Sequence, residues 1–153
     1  MKINYDFFYR LAELGDINGL DRMIKNGANI HERCDHVFIC AICANQTETA
    51  IWLLEHGIDL QEVKETAMIF ASASGNISML EYLVNHGVPV NLKSSRKYRD
   101  RPLYSAVMCE QIETIKFLCE HGATVTKRTL ELANSREHYS DVILNILNNY
   151  IKK

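Results

Sequence analysis

Glycine recurs along this chain at a nearly fixed interval and in a fixed setting. Four phrases carry it: Lys25-Asn26-Gly27-Ala28, Glu55-His56-Gly57-Ile58, Asn85-His86-Gly87-Val88 and Glu120-His121-Gly122-Ala123. The glycines lie 30, 30 and 35 residues apart. Each follows an apolar pair at the same offset: Met23 and Ile24, Leu53 and Leu54, Leu83 and Val84, Leu118 and Cys119. An apolar stripe that runs into a basic or His residue and then Gly is how an amphipathic helix stops. Glycine enters the left-handed region at little cost, and the helix dipole favours a positive group there. A period of this length implies stacked supersecondary units, none able to bury its apolar face alone.

A second helix precedes each of these stops. The pattern places them at 7–14, 37–44, 66–74, 101–109 and, less regularly, 129–135. Their middles hold small residues (Ala12, Ala41, Ala71 and Ser72, Ala106, Ala133), which lets neighbouring helices pack closely. Short turns at Leu14-Gly15-Asp16 and Ser74-Gly75-Asn76 reverse the chain. The unit is therefore helix, tight turn, helix, glycine stop, then an extended finger.

The strings Arg-Pro-Leu-Tyr-Ser-Ala-Val from Arg101 and Thr-Ala-Met-Ile-Phe-Ala-Ser from Thr66 resemble the Thr-Pro-Leu-His-x-Ala-Ala opening of ankyrin repeats. Ile115, Leu118 and Gly122, and Leu80, Leu83 and Gly87, follow at the matching distances, and His-Val-Phe-Ile-Cys-Ala-Ile from His36 is a looser third. The resemblance covers about residues 3 to 150. It implies an all-α ankyrin-repeat solenoid of stacked helix-turn-helix units with short finger loops. A single domain over 1–153 is expected, in about five units (3–33, 34–63, 64–98, 99–126, 127–151), the first and last acting as caps. The 30-residue spacing is shorter than the family's 33, so clipped fingers are expected in the first three units. In the last unit Tyr150 stands where the glycine would be, and Asn145, Asn148, Asn149, Lys152 and Lys153 provide a polar outer face.

Composition narrows the function classes. The chain has 47% hydrophobic and 24% charged residues, a balance that excludes a disordered polyampholyte. A net charge of −2 offers no whole-chain attraction to nucleic acid or anionic membrane. No apolar run reaches a spanning length, and the opening residues lack a secretory pattern. Five cysteines, an odd number set mostly in apolar helical patterns, read as reduced thiols, so a cytoplasmic location is expected.

Catalytic chemistry finds little purchase. His56, His86 and His121 share one repeat position before the stop glycine and are assigned to helix termini rather than to metal. Cys34, His36, Cys40 and Cys43 form one cluster of soft ligands, a possible metal- or redox-linked site, but Cys40 and Cys43 fall within an apolar helix and a second Cys-x-x-Cys is missing. Glu62 and Glu65 are read as a solvated capping pair. Phosphate loops, nucleophile elbows and zinc-protease motifs are absent from the sequence, so no enzyme activity and no cofactor are expected.

The one break in the period is the most informative segment. The extra length between Gly87 and Gly122 lies in residues 91–102, which carry Lys93, Arg96, Lys97, Arg99 and Arg101 against Asp100 alone. That is five cations and one carboxylate, +4; the rest of the chain, whose total is −2, therefore carries −6. Tyr98 sits among these cations, and Arg with Tyr is the composition of interface hot spots. Insertions in repeat proteins map to loops, often on the binding face. An acidic protein partner fits better than nucleic acid, for which a lone loop of cations gives weak, salt-sensitive binding.

The resemblance further implies partner binding by the concave side, through finger tips and first-helix ends. Carried over by position, that surface comprises Arg33, Asp35 and Cys43; Glu62, Glu65 and Ser74; Arg96, Lys97, Tyr98, Arg99, Asp100, Arg101, Met108 and Cys109; and Lys127, Arg128 and Arg136. The expected function is a non-catalytic binding module, monomeric when free, that inhibits, masks or neutralises one protein, as an immunity protein or effector would.

Overall fold

The computed structural model describes residues 3–92, 101–136 and 139–151. Among them are ten helices and no strand: α1 (Tyr5–Leu14), α2 (Ile17–Lys25), α3 (His36–Cys43), α4 (Thr47–Glu55), α5 (Leu60–Ser74), α6 (Ile77–Asn85), α7 (Arg101–Met108), α8 (Ile112–Glu120), α9 (Lys127–Asn134) and α10 (Ser140–Ile151). None of these helices is long and apolar enough to cross a membrane. The chain divides into two compact units, Met1–Ala67 and Met68–Lys153, with the division falling inside α5.

In the first unit α1 packs on α2 and α3, and α3 on α4. Phe8, Leu20, Phe38, Ile42 and Leu53 are fully buried. In the second unit α7 packs on α8 and α9, α8 on α6 and α10, and α9 on α10, around Leu80, Leu83, Leu103, Ile115, Leu118, Ile143 and Leu147. The small residues Ala12, Ala41, Ala71, Ser72, Ala106 and Ala133 are all buried, as close helix packing requires.

The helices that stop at glycine do so in one geometry. The amides of Gly27, Gly57, Gly87 and Gly122 donate to the carbonyls of Ile24, Leu54, Val84 and Cys119, and the amides of Ala28, Ile58, Val88 and Ala123 to those of Met23, Leu53, Leu83 and Leu118. This crossed pair satisfies carbonyls that the helix end would otherwise leave open and folds the following apolar residue inward. Ala28, Ile58 and Val88 are buried accordingly.

Helix starts differ from the expected ones where a polar cap lies further upstream. The Asn4 side chain accepts from the Phe7 amide, so α1 begins at Tyr5 rather than at 7; Thr126 accepts from the Thr129 amide, so α9 begins at Lys127 rather than at 129. The largest difference is α5, which starts at Leu60 instead of 66. Residues 60–65, Leu-Gln-Glu-Val-Lys-Glu, contain neither Gly nor Pro, and Val63 buries its side chain. The Asp59 carboxylate accepts from the Gln61 amide at 2.8 Å, so Asp59 opens this helix, with Glu62 in its first turn and Glu65 inside the helix rather than at its start. Where a finger was expected, the third repeat carries almost two turns of helix.

Candidate functional site

The three equivalent histidines have a structural role, with a different physical cause from the dipole alone. Nδ1 of His56, His86 and His121 lies 2.8 Å from the carbonyl oxygens of Trp52, Tyr82 and Phe117. A carbonyl only accepts, so Nδ1 carries the proton and donates. Each imidazole also stacks on the ring of that same residue, at 3.9, 4.0 and 4.1 Å between centroids. An aromatic four residues before each His was readable in the sequence and is the signal that finds this pairing.

Cys34, His36, Cys40 and Cys43 are not assembled into a ligand set. Among the described residues no three His, Cys, Asp or Glu side chains group so as to hold a metal ion. Cys40 and Cys43 face the Glu13 carboxylate: burial pushes the Cys40 thiol up to about 11, and burial with the field of Glu13 raises Cys43. Thiols held protonated are poor nucleophiles and poor metal ligands. Cys34 and Cys109 are exposed, and Cys119 is buried.

In the second unit the structure brings several of the expected partner-binding residues onto one helix pair. Arg128, near the start of α9, places its guanidinium 3.9 Å from the centroid of the Tyr104 ring on α7. Tyr104 carried no expectation. Met108 closes α7 with its side chain 48% exposed. Arg136 donates from Nη1 to the Met108 carbonyl at 2.9 Å, while its buried Nε has no partner. The cation therefore sits at the negative end of α7, which anchors it in place. Lys127 is exposed and 3.5 Å from Glu131; Cys109 is exposed beside Met108; Ser74, ending α5, spends its hydroxyl on the Phe70 carbonyl.

Of the basic insertion, Arg101 is described and is the exposed first residue of α7, whereas Arg96, Lys97, Tyr98, Arg99 and Asp100 lie outside the described residues. Its two ends are firmly set. Val90 and Leu92 are buried on one side, Pro102 and Leu103 on the other. Between the buried pair, the Asn91 amide donates to the Gly122 carbonyl and accepts from the Thr124 amide, both at 2.8 Å. One side chain thus ties the base of the insertion to the turn that leads into α9.

The first unit holds Arg33, Asp35, Cys43, Glu62 and Glu65. Cys43 ends α3 exposed, Glu62 is exposed in the first turn of α5, and Glu65 is half-buried on the same helix. Arg33 and Asp35 fall in a feature with no sequence signature: Arg33, Cys34 and Asp35 all take positive φ, at 51°, 56° and 60°. Left-handed backbone costs a non-glycine residue about 1–2 kcal/mol, and three in succession make a strained turn. Asp35 pairs with Nδ1 of His31 at 2.7 Å across it. His36 then meets the Tyr9 ring edge-on at 4.8 Å. Tyr9 is 7% exposed, and its buried hydroxyl has no hydrogen-bond partner. Burial pushes the Tyr9 pKa above its usual value, with the nearby Arg33 cation pulling it back.

The comparisons with known proteins agree with this architecture. A family model for ankyrin repeats, in three copies, matches residues 8–94 and 60–129. No curated protein matches the chain. The solved structure of a human ASB11 ankyrin repeat domain is similar, with a TM-score of 0.54 and 18% identity over 94% of this chain and 82% of that one. At that identity the likeness concerns the fold. The all-α repeat class expected from the sequence is the one found. The described residues contain the same hydrogen-bonded helix stop at four regularly spaced glycines, and the family match spans most of the chain: this protein belongs to the ankyrin-repeat family.

Proposed function

We propose that this protein works by binding another protein without catalysing a reaction, and that binding masks or inhibits the partner. Ankyrin repeats are in general protein–protein interaction scaffolds, which supports the coarse reading. The observation that carries the finer one is the α7–α9 surface: a Tyr104 ring stacked under Arg128, with exposed Met108 above an anchored Arg136. Tyr, Arg and Met are the side chains that interfaces concentrate, because each buries much area while losing little freedom once held. Here the holding is done in advance by the stack and by the Arg136 bond. Arg101, Lys127, Arg128 and Arg136 give this surface a positive character, and the basic insertion enters α7 directly. A partner with an acidic patch is the complement.

The test uses a partner isolated by affinity capture and then purified. Its dissociation constant is measured with the wild-type chain, with Arg96, Lys97, Tyr98 and Arg99 all changed to Ala, and with Tyr104→Ala plus Arg128→Ala. Each change is expected to weaken binding roughly tenfold or more, as loss of a hot spot does. Unchanged affinity in both would overturn the assignment of the surface.

A further inference from the structure

The C-terminal end of α8 gathers negative charge that no basic residue of its last turn offsets. A helix presents the negative end of its dipole there, which favours a cation. α2 follows this rule with Arg22 and Lys25 in its last turn, whereas α8 has no basic residue in its last turn and closes on Glu120. Glu120 forms no ion pair among the described residues, and the lysine one turn back, Lys116, is paired with Glu113 at 2.8 Å. Tyr150 of α10 reaches across and donates its hydroxyl to Glu120 Oε1 at 3.4 Å, which sets carboxylate and phenol side by side. Both line one shallow depression, completed by Cys119, Gly122 and Ala123, so charge, aromatic surface and apolar surface adjoin in one place. Its rim is fixed by Asn91, whose side chain donates to the Gly122 carbonyl.

We propose that this depression receives the cationic side chain of a lysine or arginine on the protein partner. This rests on the protein-binding reading and adds to it a second contact, of opposite polarity. The ammonium or guanidinium pairs with the Glu120 carboxylate and the negative helix end, while the aliphatic stem lies on Tyr150, Cys119 and Ala123. Position gives the contact its role. Asn91 bonds to Gly122 and Thr124, so the depression adjoins the base of the insertion, a segment with five cations and one carboxylate. A partner that meets the insertion with acidic residues must then present a basic one beside them. Adjoining contacts of opposite sign admit one docking register and penalise inverted ones through like-charge contact, so Glu120 acts on specificity more than on affinity.

The test is a nuclear magnetic resonance titration of the full 15N-labelled chain at constant ionic strength. Three probes are used: the N-acetyl N-methylamides of lysine, of arginine and of norleucine, the last a neutral stem. At least one cationic probe is expected to give saturable shifts at Glu120, Gly122, Ala123 and Tyr150, with a dissociation constant on the order of 10 mM, as suits a single contact. Norleucine is expected to give none, and whichever cation binds more tightly assigns the partner residue. Glu55, which ends α4 at the same repeat position and is also exposed, is the internal reference for a merely solvated carboxylate. Glu120→Gln is expected to abolish the response while the melting temperature stays level or rises, since a charge leaves the negative end of α8. Tyr150→Ala is expected to weaken it roughly threefold or more. The proposal is overturned if neither cation saturates at Glu120, if Glu55 and Glu120 respond with equal affinity, or if Glu120→Gln responds like the wild type. A purified partner that still binds the chain in that case leaves the protein-binding reading standing without this contact.

Discussion

A thiol's surroundings decide whether it takes part in chemistry, and the five cysteines separate on that basis. Cys34, Cys43 and Cys109 are exposed, with Cys43 raised by the partial desolvation of its thiol and by Glu13, whereas burial holds Cys40 and Cys119 near 11. Ellman's reagent at pH 8 is expected to modify Cys34 and Cys109 first, Cys43 later, and Cys40 and Cys119 only on unfolding. Early modification of Cys119 would contradict its burial on the inner face of α8. The same shifts bear on stability. A native thiol with a raised pKa keeps its proton where the unfolded chain releases it. The stability is therefore complete below about pH 9 and is lost as pH climbs toward 11. For buried Cys119 the full loss is about 3 kcal/mol. Denaturant unfolding at pH 8 and pH 10.5 checks this: Cys119→Ala is expected to flatten the difference, and an unchanged difference would show the cause lies elsewhere.

Helix boundaries show what a sequence makes legible and what it hides. The stops were readable because one residue type, glycine, solves the geometry at each of them. The start of α5 was hidden because the finger expectation came from the repeat, while Asp59 and the helix-forming run 60–65 follow local chemistry. The turns between paired helices hold a further regularity. Residues 15, 45, 75 and 110 all take positive φ, yet only the first and third are glycine. Those two are where a neighbour closes in: a Cβ on Gly15 would stand 2.7 Å from the Gln46 amide oxygen, and one on Gly75 2.4 Å from that of Gln111. Asn45 and Glu110, at the other two turns, bear the strain of side chains at φ 59° and 55°. Gly75→Ala is expected to lower stability by about 1–2 kcal/mol, mostly through φ, because a glutamine tip can swing away. In a Gln111→Ala background the cost should fall by no more than about 0.5 kcal/mol. Full rescue by Gln111→Ala would show that contact, not backbone, sets the requirement.

At the scale of the molecule, the repeats consume most of the chain's chemistry-bearing side chains as scaffold. The three histidines cap helices, and the small and apolar residues fill the two cores. The side chains proposed to carry specificity are of two kinds. The charged insertion at 91–102, with Met108, Arg128 and Arg136, was legible because it interrupts a period or falls at finger and first-helix-end positions. Tyr104, the Asn91 clamp and the Tyr9–His36 ring contact were not, because each depends on a contact between residues 24 or more apart in sequence. Asn91 gives this a consequence: its two hydrogen bonds set where the insertion begins. Asn91→Ala is expected to weaken partner binding several-fold through a faster off-rate, with little change in melting temperature; an unchanged off-rate would remove its positioning role.

The most direct test of the account is calorimetric titration of the purified partner into the wild-type chain and into the Arg96, Lys97, Tyr98 and Arg99 quadruple Ala variant. Circular dichroism first establishes that both are equally folded. The prediction is a dissociation constant roughly tenfold or more weaker for the variant, with the gap narrowing as salt is raised, since screening removes the charged part of the interaction. Equal affinity of the two chains across that salt range would contradict it.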